Sequence, residues 1–145
     1  MLSHFEQKSL PYSAQQMFDL VAAVDLYQEF APWCVASRIN KYESDTIFTA
    51  DLVVGYKVFR ERFSSRVITI PNSAISIEYL QGPLKNLKNR WSFTDNDTGG
   101  CTIDFSVEFE FENGALQALA NMFFNEVVKR MIDAFEKRAE QIYCS

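Results

Sequence analysis

The feature that most constrains the fold is a change of hydrophobic period at Asn113 and Gly114. Before this turn signal, residues 101–111 alternate between apolar and polar side chains, which is the pattern of a half-buried antiparallel strand. After it, apolar residues recur at helical spacing, and no Gly or Pro interrupts residues 115–145. We therefore predict a strand followed by one amphipathic helix of roughly 28 residues, about 40 Å long.

The rest of the chain completes an α+β pattern. Residues 2–10 predict a first strand, and Ser13, with Gln16 in capping-box position, starts a helix of about three turns. The apolar stripe of this helix is Met17, Leu20, Val21 and Val24. One more short turn is expected at residues 25–31, and further strands at 47–54, 58–70, 75–80, 87–93 and 101–111. This order predicts a twisted antiparallel sheet curling around the long C-terminal helix.

Length and composition define the broad class of protein. The 145 residues correspond to one domain, residues 1–145, and the 13 Phe, 6 Tyr and 2 Trp must be placed in a core, a cavity or a surface patch. The formal net charge of −5 argues against a general nucleic-acid binder, so no DNA partner is expected.

Cysteine usage and the absence of targeting patterns predict a cytoplasmic protein. Cys34, Cys101 and Cys144 are odd in number and show no Cys-x-x-Cys spacing, which argues against a disulfide framework or a zinc ribbon. The N-terminus has neither a signal-peptide nor a transit-peptide pattern. No apolar run approaches the roughly 20 residues of a membrane-spanning helix.

Few residues offer catalytic or metal chemistry. His4 is the only histidine, which excludes a metal site built from several histidines, and it is expected to be an ordinary surface or half-buried side chain. Cys34 would need His4 within reach to act as a nucleophile. The sequence has no Gly-x-Ser-x-Gly, Walker or dinucleotide-binding motif. We therefore expect a protein that is not an enzyme and requires no cofactor or metal.

Two charged features each allow two interpretations. Glu61 shares strand parity with Phe59 and Phe63, so it either points at the concave face among aromatic side chains or lies at a solvated rim. The basic run at residues 85–90 either contacts phosphate groups of lipid or RNA, or forms a solvated strand face. The solvated interpretation is the more common one for such features.

Several motifs, taken together, are more specific than periodicity. They are Tyr27-x-x-Phe30-x-Pro32-Trp33-Cys34, Gly55, Glu61-x-Phe63-x-Ser65-x-Val67, Gly82-Pro83-Leu84-x-x-Leu87-x-x-x-Trp91-x-Phe93, Phe105-x-Val107-x-Phe109-x-Phe111 and Ala134-Phe135-x-x-Arg138. This series resembles the coenzyme Q-binding protein family, which overlaps the bacterial ribosome-association toxin A family. Both belong to the START-like, helix-grip superfamily that also holds polyketide cyclases. The resemblance covers nearly the whole chain, and Leu84 departs from it, because the family more often has Phe after Gly-Pro.

The resemblance implies a seven-stranded antiparallel sheet gripping the C-terminal helix, with a hydrophobic tunnel between them. It also implies a non-catalytic carrier or chaperone that binds ubiquinone, or a polyprenyl precursor, and supports respiratory electron transport. The candidate ligand-binding residues are Tyr27, Trp33, Phe59, Glu61, Phe63, Trp91, Phe105, Phe109, Phe123, Val127 and Met131. Tyr27, Trp33 and Glu61 are expected near the cavity mouth. Trp33 and Trp91 also fit the role of structural anchors, and the aromatic face of the helix also fits an ordinary core.

Two other functions remain open at this point. The first is a ribosome-binding regulator that blocks subunit association by contacting the large subunit, as the toxin-like branch implies. The second is a polyketide cyclase or aromatase, which would need an acid/base group in the cavity. A ubiquinone carrier would also make transient contact with the inner membrane, as a peripheral protein.

Overall fold

The computed structural model describes residues 2–56 and 59–143 of the protein. In this part of the chain, two α-helices and a 3₁₀ helix accompany the strands of one antiparallel sheet. In chain order the elements are β1 (Leu2–Leu10), α1 (Ala14–Ala22), the 3₁₀ helix (Val24–Glu29), β2 (Cys34–Tyr42), β3 (Ile47–Tyr56), β4 (Phe59–Ile70), β5 (Ala74–Gln81), β6 (Leu84–Asp95), β7 (Cys101–Phe111) and α2 (Gly114–Tyr143).

The strand order across the sheet is β1-β7-β6-β5-β4-β3-β2. Strands β2 to β7 therefore pair with their neighbours in sequence, whereas β1 pairs with β7 at the opposite edge from β2. Helix α1 and the 3₁₀ helix carry the chain from one sheet edge to the other. The predicted α+β helix-grip architecture, a seven-stranded antiparallel sheet with one long C-terminal helix, is confirmed in the described chain.

Helix α1 begins where its capping box predicts. The Ser13 side chain accepts a hydrogen bond from the Gln16 backbone N–H at 3.1 Å, and the Gln16 side chain accepts one from the Ser13 N–H at 2.9 Å. The Ala14 N–H donates to the Asp95 carboxylate at the end of β6, which fixes the start of the helix on the sheet. Met17 and Val21 are fully buried against the sheet and α2.

Helix α2 is 30 residues long, about 45 Å at 1.5 Å per residue. Its C-terminal half packs into the core through Phe135 and Ala139, which are 5% and 0% exposed. The Tyr143 hydroxyl donates to the Gln16 carbonyl at 2.7 Å, and Arg138 pairs with Glu29 at 2.8 Å. These contacts fix the far end of α2 to both short helices and leave its first half over the concave face of the sheet.

Several element boundaries differ from the sequence prediction by one to three residues. Helix α1 ends at Ala22, and Val24 belongs to the 3₁₀ helix rather than to the third turn of α1. Strand β6 begins at Leu84 rather than at residue 87, because the bend at Gly82 and Pro83 already returns the chain to the sheet. Val58, where one strand was predicted to start, and Cys144 lie outside the described residues.

Candidate ligand-binding cavity

A cavity of about 390 Å³ lies between the first half of α2 and the concave face of the sheet. All of the predicted ligand-binding residues except Glu61 line it. They are Tyr27, Trp33, Phe59, Phe63, Trp91, Phe105, Phe109, Phe123, Val127 and Met131. The structure thus brings these side chains around one space, and their contact with a ligand stays a prediction.

Strand alternation builds the sheet side of the cavity. On β7, Cys101 and Ile103 are buried in the core, Phe105 joins core and cavity, and the following inward side chains line the cavity wall. The strand that showed the cleanest apolar–polar alternation in the sequence therefore contributes its first half to the core and its second half to the cavity.

Helix α2 forms the other wall. Its inward residues follow the three- and four-residue spacing of one helix face: Leu116, Leu119, Ala120, Phe123, Phe124, Val127, Val128, Met131 and Phe135. Leu116 and Leu119 belong to the apolar residues that recur at helical spacing after Gly114, but they are not among the predicted ligand-binding residues. Their spacing is the same for a core-facing and a cavity-facing helix, so periodicity does not distinguish the two.

An aromatic cluster closes the cavity toward the core. The Trp91 ring centroid lies 4.7 Å from Phe105 and 5.3 Å from Phe135. Phe135 also makes edge-to-face contacts with Tyr27 at 5.3 Å and Phe30 at 5.0 Å. Trp91 is 8% exposed, so its contacts are those of a structural anchor that also supplies part of the cavity wall.

Tyr27 is fixed by its own hydrogen bond. Its hydroxyl donates to the Val21 backbone carbonyl at the end of α1, and burial raises the pKa of the phenol. The Tyr27 ring therefore stays neutral and oriented.

Trp33 lies at a tight turn and has a backbone φ of 65°, in the left-handed region that favours Gly or Asn. The Cys34 N–H donates to the Ala31 carbonyl at 3.2 Å, with Pro32 at the second position, as in a type II turn. The Trp33 carbonyl in turn accepts from the Gly55 N–H at 2.8 Å. Holding a large aromatic residue in this backbone conformation costs free energy locally. A contact between the Trp33 ring and a ligand in the cavity would explain why this residue occupies the position.

Two polar side chains in the cavity wall, Ser65 on β4 and Asn89 on β6, were not predicted as site residues. Asn89 alternates with Leu87 and Trp91 along β6, so it shares their inward face. The sequence signal for this site residue is a polar side chain at a position where the strand pattern predicts an apolar one. The basic residues on either side of Asn89 favour the outer face of β6 instead.

Glu61 is half-buried on β4, and it is absent from the described lining of the cavity although it shares parity with Phe59 and Phe63. This position agrees with the rim interpretation rather than with a carboxylate among aromatic rings. It avoids the desolvation cost of an ionised carboxylate in an apolar wall.

The basic run at residues 85–90 lies on β6, and its charged members are exposed. Lys85 pairs with Glu110 at 3.2 Å, and Arg90 donates to the Ser76 hydroxyl at 2.9 Å. Lys88 stands in register with Glu78 on one side and Glu108 on the other. Acidic side chains therefore offset part of this charge, as expected for a solvated strand face.

His4 lies in β1 and Cys34 begins β2, and these two strands form opposite edges of the sheet. His4 Nε2 is 3.0 Å from the Glu6 carboxylate, and its ring lies against Phe105 and Phe124. Cys34 is half-buried, its thiol donates to the Ala36 carbonyl, and burial raises its pKa. The structure therefore does not bring these two together as a nucleophile and base. In residues 2–56 and 59–143, no cluster of three or more His, Cys, Asp or Glu could hold a metal ion.

The geometry defines a START-like, helix-grip protein with an apolar cavity under its C-terminal helix. The chain belongs to the polyketide cyclase / dehydrase and lipid transport family, whose model matches residues 10–136. Its first residues and the last turns of α2 lie outside that match.

Two relatives of the chain have names that indicate different functions. The chain is 38% identical over 98% of its length to the mitochondrial coenzyme Q-binding protein COQ10 homolog B of Xenopus laevis, and it spans 59% of that relative. It is 33% identical to the ribosome association toxin RatA of Pseudomonas aeruginosa, over 99% of each chain. These relatives confirm the resemblance to the coenzyme Q-binding and ribosome-association toxin families.

Solved structures agree on the fold. An 18 kDa protein of Caulobacter crescentus, 32% identical, superposes with a TM-score of 0.79 over the whole of both chains. A Streptomyces aromatase/cyclase superposes with a TM-score of 0.83 over 97% of this chain and 94% of that one, at 13% identity. The second likeness is one of fold. Among the described helices, none combines the length and apolarity needed to cross a bilayer.

Proposed function

We propose that the protein is a non-catalytic binding protein for ubiquinone, or for a polyprenyl precursor of it, and acts as a carrier or chaperone supporting respiratory electron transport. The observation that carries this proposal is the cavity: about 390 Å³, within the usual size of a small-molecule site, and walled almost entirely by aromatic and aliphatic side chains. Each CH₂ of an isoprenoid tail buried there contributes about 0.8 kcal/mol.

The titratable groups of the cavity support binding without chemistry. Among the described lining residues, Tyr27 is the only one with a titratable side chain, and burial and its hydrogen bond to the Val21 carbonyl keep it protonated. An aromatase or cyclase mechanism needs a group that gives and takes a proton near neutral pH. We therefore rank the polyketide cyclase function last, although structural neighbours of that class share the fold.

The first turns of α2 supply a surface for loading from a bilayer. Residues 114–125 contain no Asp, Glu, Lys or Arg, whereas residues 126–143 contain eight of them. Met122, in the uncharged stretch, is 75% exposed, and Leu119 and Phe123 beside it line the cavity. We place the transient contact with the inner membrane here, on an otherwise cytoplasmic protein. This uncharged helix surface lies next to the cavity and can approach a bilayer without burying a charge.

Organic extraction of the protein, purified from a host that makes ubiquinone, followed by mass spectrometry, tests the proposal. A near-stoichiometric quinone or isoprenoid signal is expected. Leu119→Trp, which places an indole in the cavity, should lose that signal, and Ala118→Trp, on the exposed side of the same helix, should keep it. An empty extract from the unaltered protein, followed by failure to load added quinone, would refute the proposal.

A ribosome-binding function is the second candidate, favoured by the near-complete coverage of the RatA relatives. Co-sedimentation with large ribosomal subunits at low salt tests it. If it occurs, charge reversal at Lys85, Lys88 and Arg90 separates the outer face of β6 from other surfaces, and unchanged co-sedimentation would exclude that face. Lack of any co-sedimentation would remove the hypothesis.

A further inference from the structure

Asn89 is a polar side chain in the middle of an apolar wall. It stands in register with Ile77 of β5 and Val107 of β7, and all three line the cavity. Leu87 and Trp91, its inward neighbours on β6, line it too. A buried or half-buried amide without full hydrogen bonding costs free energy, so its role at this position needs an explanation.

The orientation of the Asn89 amide is fixed. Its Nδ2 donates to the Ser106 backbone carbonyl on β7 at 2.9 Å. A backbone carbonyl oxygen only accepts hydrogen bonds, so the nitrogen of the amide, and not its oxygen, must face Ser106. The Oδ1 atom is thereby directed away from β7.

Asn89 Oδ1 has no hydrogen-bond partner in the described part of the chain, and it is not among the fully buried unsatisfied atoms there. Asn89 is half-buried, and its neighbours along the chain, Lys88 and Arg90, face outward. The accessible space next to Asn89 Oδ1 is therefore the cavity. An acceptor atom therefore faces a site whose walls are otherwise apolar, and a ligand that excludes water must satisfy it or leave it unpaired.

Ser65 offers a different chemistry. Its hydroxyl both donates and accepts, and no side-chain hydrogen bond engages it within the described residues. The second N–H of the Asn89 amide is also a donor. These donors can serve any ligand oxygen, so they do not distinguish one oxidation state of a quinone from another, whereas Oδ1 does.

We propose that Asn89 makes the cavity selective for a ligand whose aromatic head carries a hydroxyl group, a hydroquinone or phenol, over the corresponding quinone. This inference rests on the proposed function, because it refines which form of the ligand the cavity holds. A quinone head presents only acceptors and leaves Oδ1 unpaired, whereas a hydroquinone donates to it. The protein would then hold the hydroquinone form more tightly than the quinone form.

Anaerobic binding measurements with decylubiquinone and decylubiquinol test the inference. The purified protein should bind the hydroquinone about tenfold more tightly than the quinone, the difference expected for satisfying one buried acceptor. Asn89→Leu, which removes the acceptor and keeps a similar volume, should bring the two affinities within about twofold of each other. Ser65→Ala is the matched control. It should weaken the binding of both quinone and hydroquinone and leave the ratio of the two affinities unchanged.

A second measurement needs no variant, so it serves even if Asn89→Leu fails to fold. The di-O-methyl ether of decylubiquinol keeps the reduced ring but has no donor, and it should bind no more tightly than the quinone. Equal affinity for quinone and hydroquinone, or an ether that binds as tightly as the hydroquinone, would overturn the selectivity and leave the proposed function intact. If neither quinone nor hydroquinone binds, the proposed function itself fails.

Discussion

At the scale of single residues, the two tryptophans of the cavity have different surroundings. Trp91 is packed against Phe105 and Phe135 in the core, whereas Trp33 is half-buried at a turn with positive φ. The sequence gives both the same candidate role, because side-chain type alone does not reveal backbone strain or burial.

These surroundings predict separable effects of substitution. Trp33→Asn should leave the free energy of unfolding within about 1 kcal/mol of the unaltered protein, because Asn tolerates the left-handed backbone. It should weaken decylubiquinone binding several-fold. Trp91→Leu should cost roughly 3 kcal/mol through the space it leaves in the core. Urea unfolding and ligand titration of both variants measure the two effects. A Trp33→Asn protein with unchanged affinity would argue that Trp33 serves the turn alone.

Asp51 is a buried carboxylate on the outward side of β3, and it makes stability depend on pH. Burial alone raises its pKa, but hydrogen bonds from Ser64 at 2.7 Å and from Arg38 at 3.4 Å outweigh burial and hold the pKa below its usual value. Its contribution to stability is therefore present above the unfolded-state pKa of about 3.9 and is lost as the pH falls through the lower folded-state pKa.

Asp51→Asn should accordingly destabilise the protein at pH 7 by about 1–2 kcal/mol, the usual cost of losing charge-assisted hydrogen bonds. The difference from the unaltered protein should begin to shrink as the pH falls below about 4, where the carboxylate of the unfolded chain takes up a proton, and should be lost once the pH is below the lower folded-state pKa. Urea unfolding across this pH range measures it, with the exposed Asp97→Asn as control. A difference that stays constant with pH would contradict the role given to the charge of Asp51.

At the scale of elements, α2 joins two functions in one uninterrupted helix. Its second half contributes Phe135 and Ala139 to the core and an ion pair with Glu29, whereas its first half, uncharged over residues 114–125, contributes most of the helix side chains that line the cavity. The length of this helix was predictable from the absence of Gly and Pro. The division of the helix into a cavity-lining part and a core part was not predictable, because cavity-facing and core-facing residues follow the same helical spacing.

The uncharged stretch at residues 114–125 predicts a specific surface effect. Met122→Glu should reduce binding to vesicles that contain anionic phospholipid by several-fold, because a carboxylate on the contact face must be desolvated there. Gln141→Glu, an equal change of charge on an exposed position near the end of α2, should have little effect. Co-flotation of both variants with vesicles measures it. Equal flotation of the two variants would exclude residues 114–125 as the contact surface.

At the scale of the whole molecule, the architecture could be predicted from the sequence to a greater degree than the site. The period change at Asn113 and Gly114 predicts the strand and helix that the structure contains, and the family resemblance supplies the strand count. The polar side chains of the cavity wall, Ser65 and Asn89, were not predicted as site residues. The parity of Asn89 with Leu87 and Trp91 was its only signal, whereas Glu61 shares parity with Phe59 and Phe63 and still does not line the cavity, because strand twist is not contained in a local pattern.

Ligand binding should stabilise the whole fold, because the cavity joins sheet and helix. Decylubiquinone at about one hundred times its dissociation constant should add roughly 2.7 kcal/mol to the free energy of unfolding. This corresponds to an increase of about 5–10 °C in Tm for a domain of this size. Leu119→Trp should show no increase, whereas Ala118→Trp should respond like the unaltered protein. An equal response of Leu119→Trp would place the ligand outside the cavity.

The pairing of β1 with β7 has a consequence for the time course of folding. Leu2 stands opposite Phe109, and Leu10 opposite Cys101, so the first strand to be synthesised must wait for the last one before it can join the sheet. The hairpins from β2 to β7 can form in order as the chain grows, but the loop that returns to β1 is the longest to close. Until then one edge of β7 is open. Completion of the sheet and arrival of α2 over it should therefore be late and nearly simultaneous events.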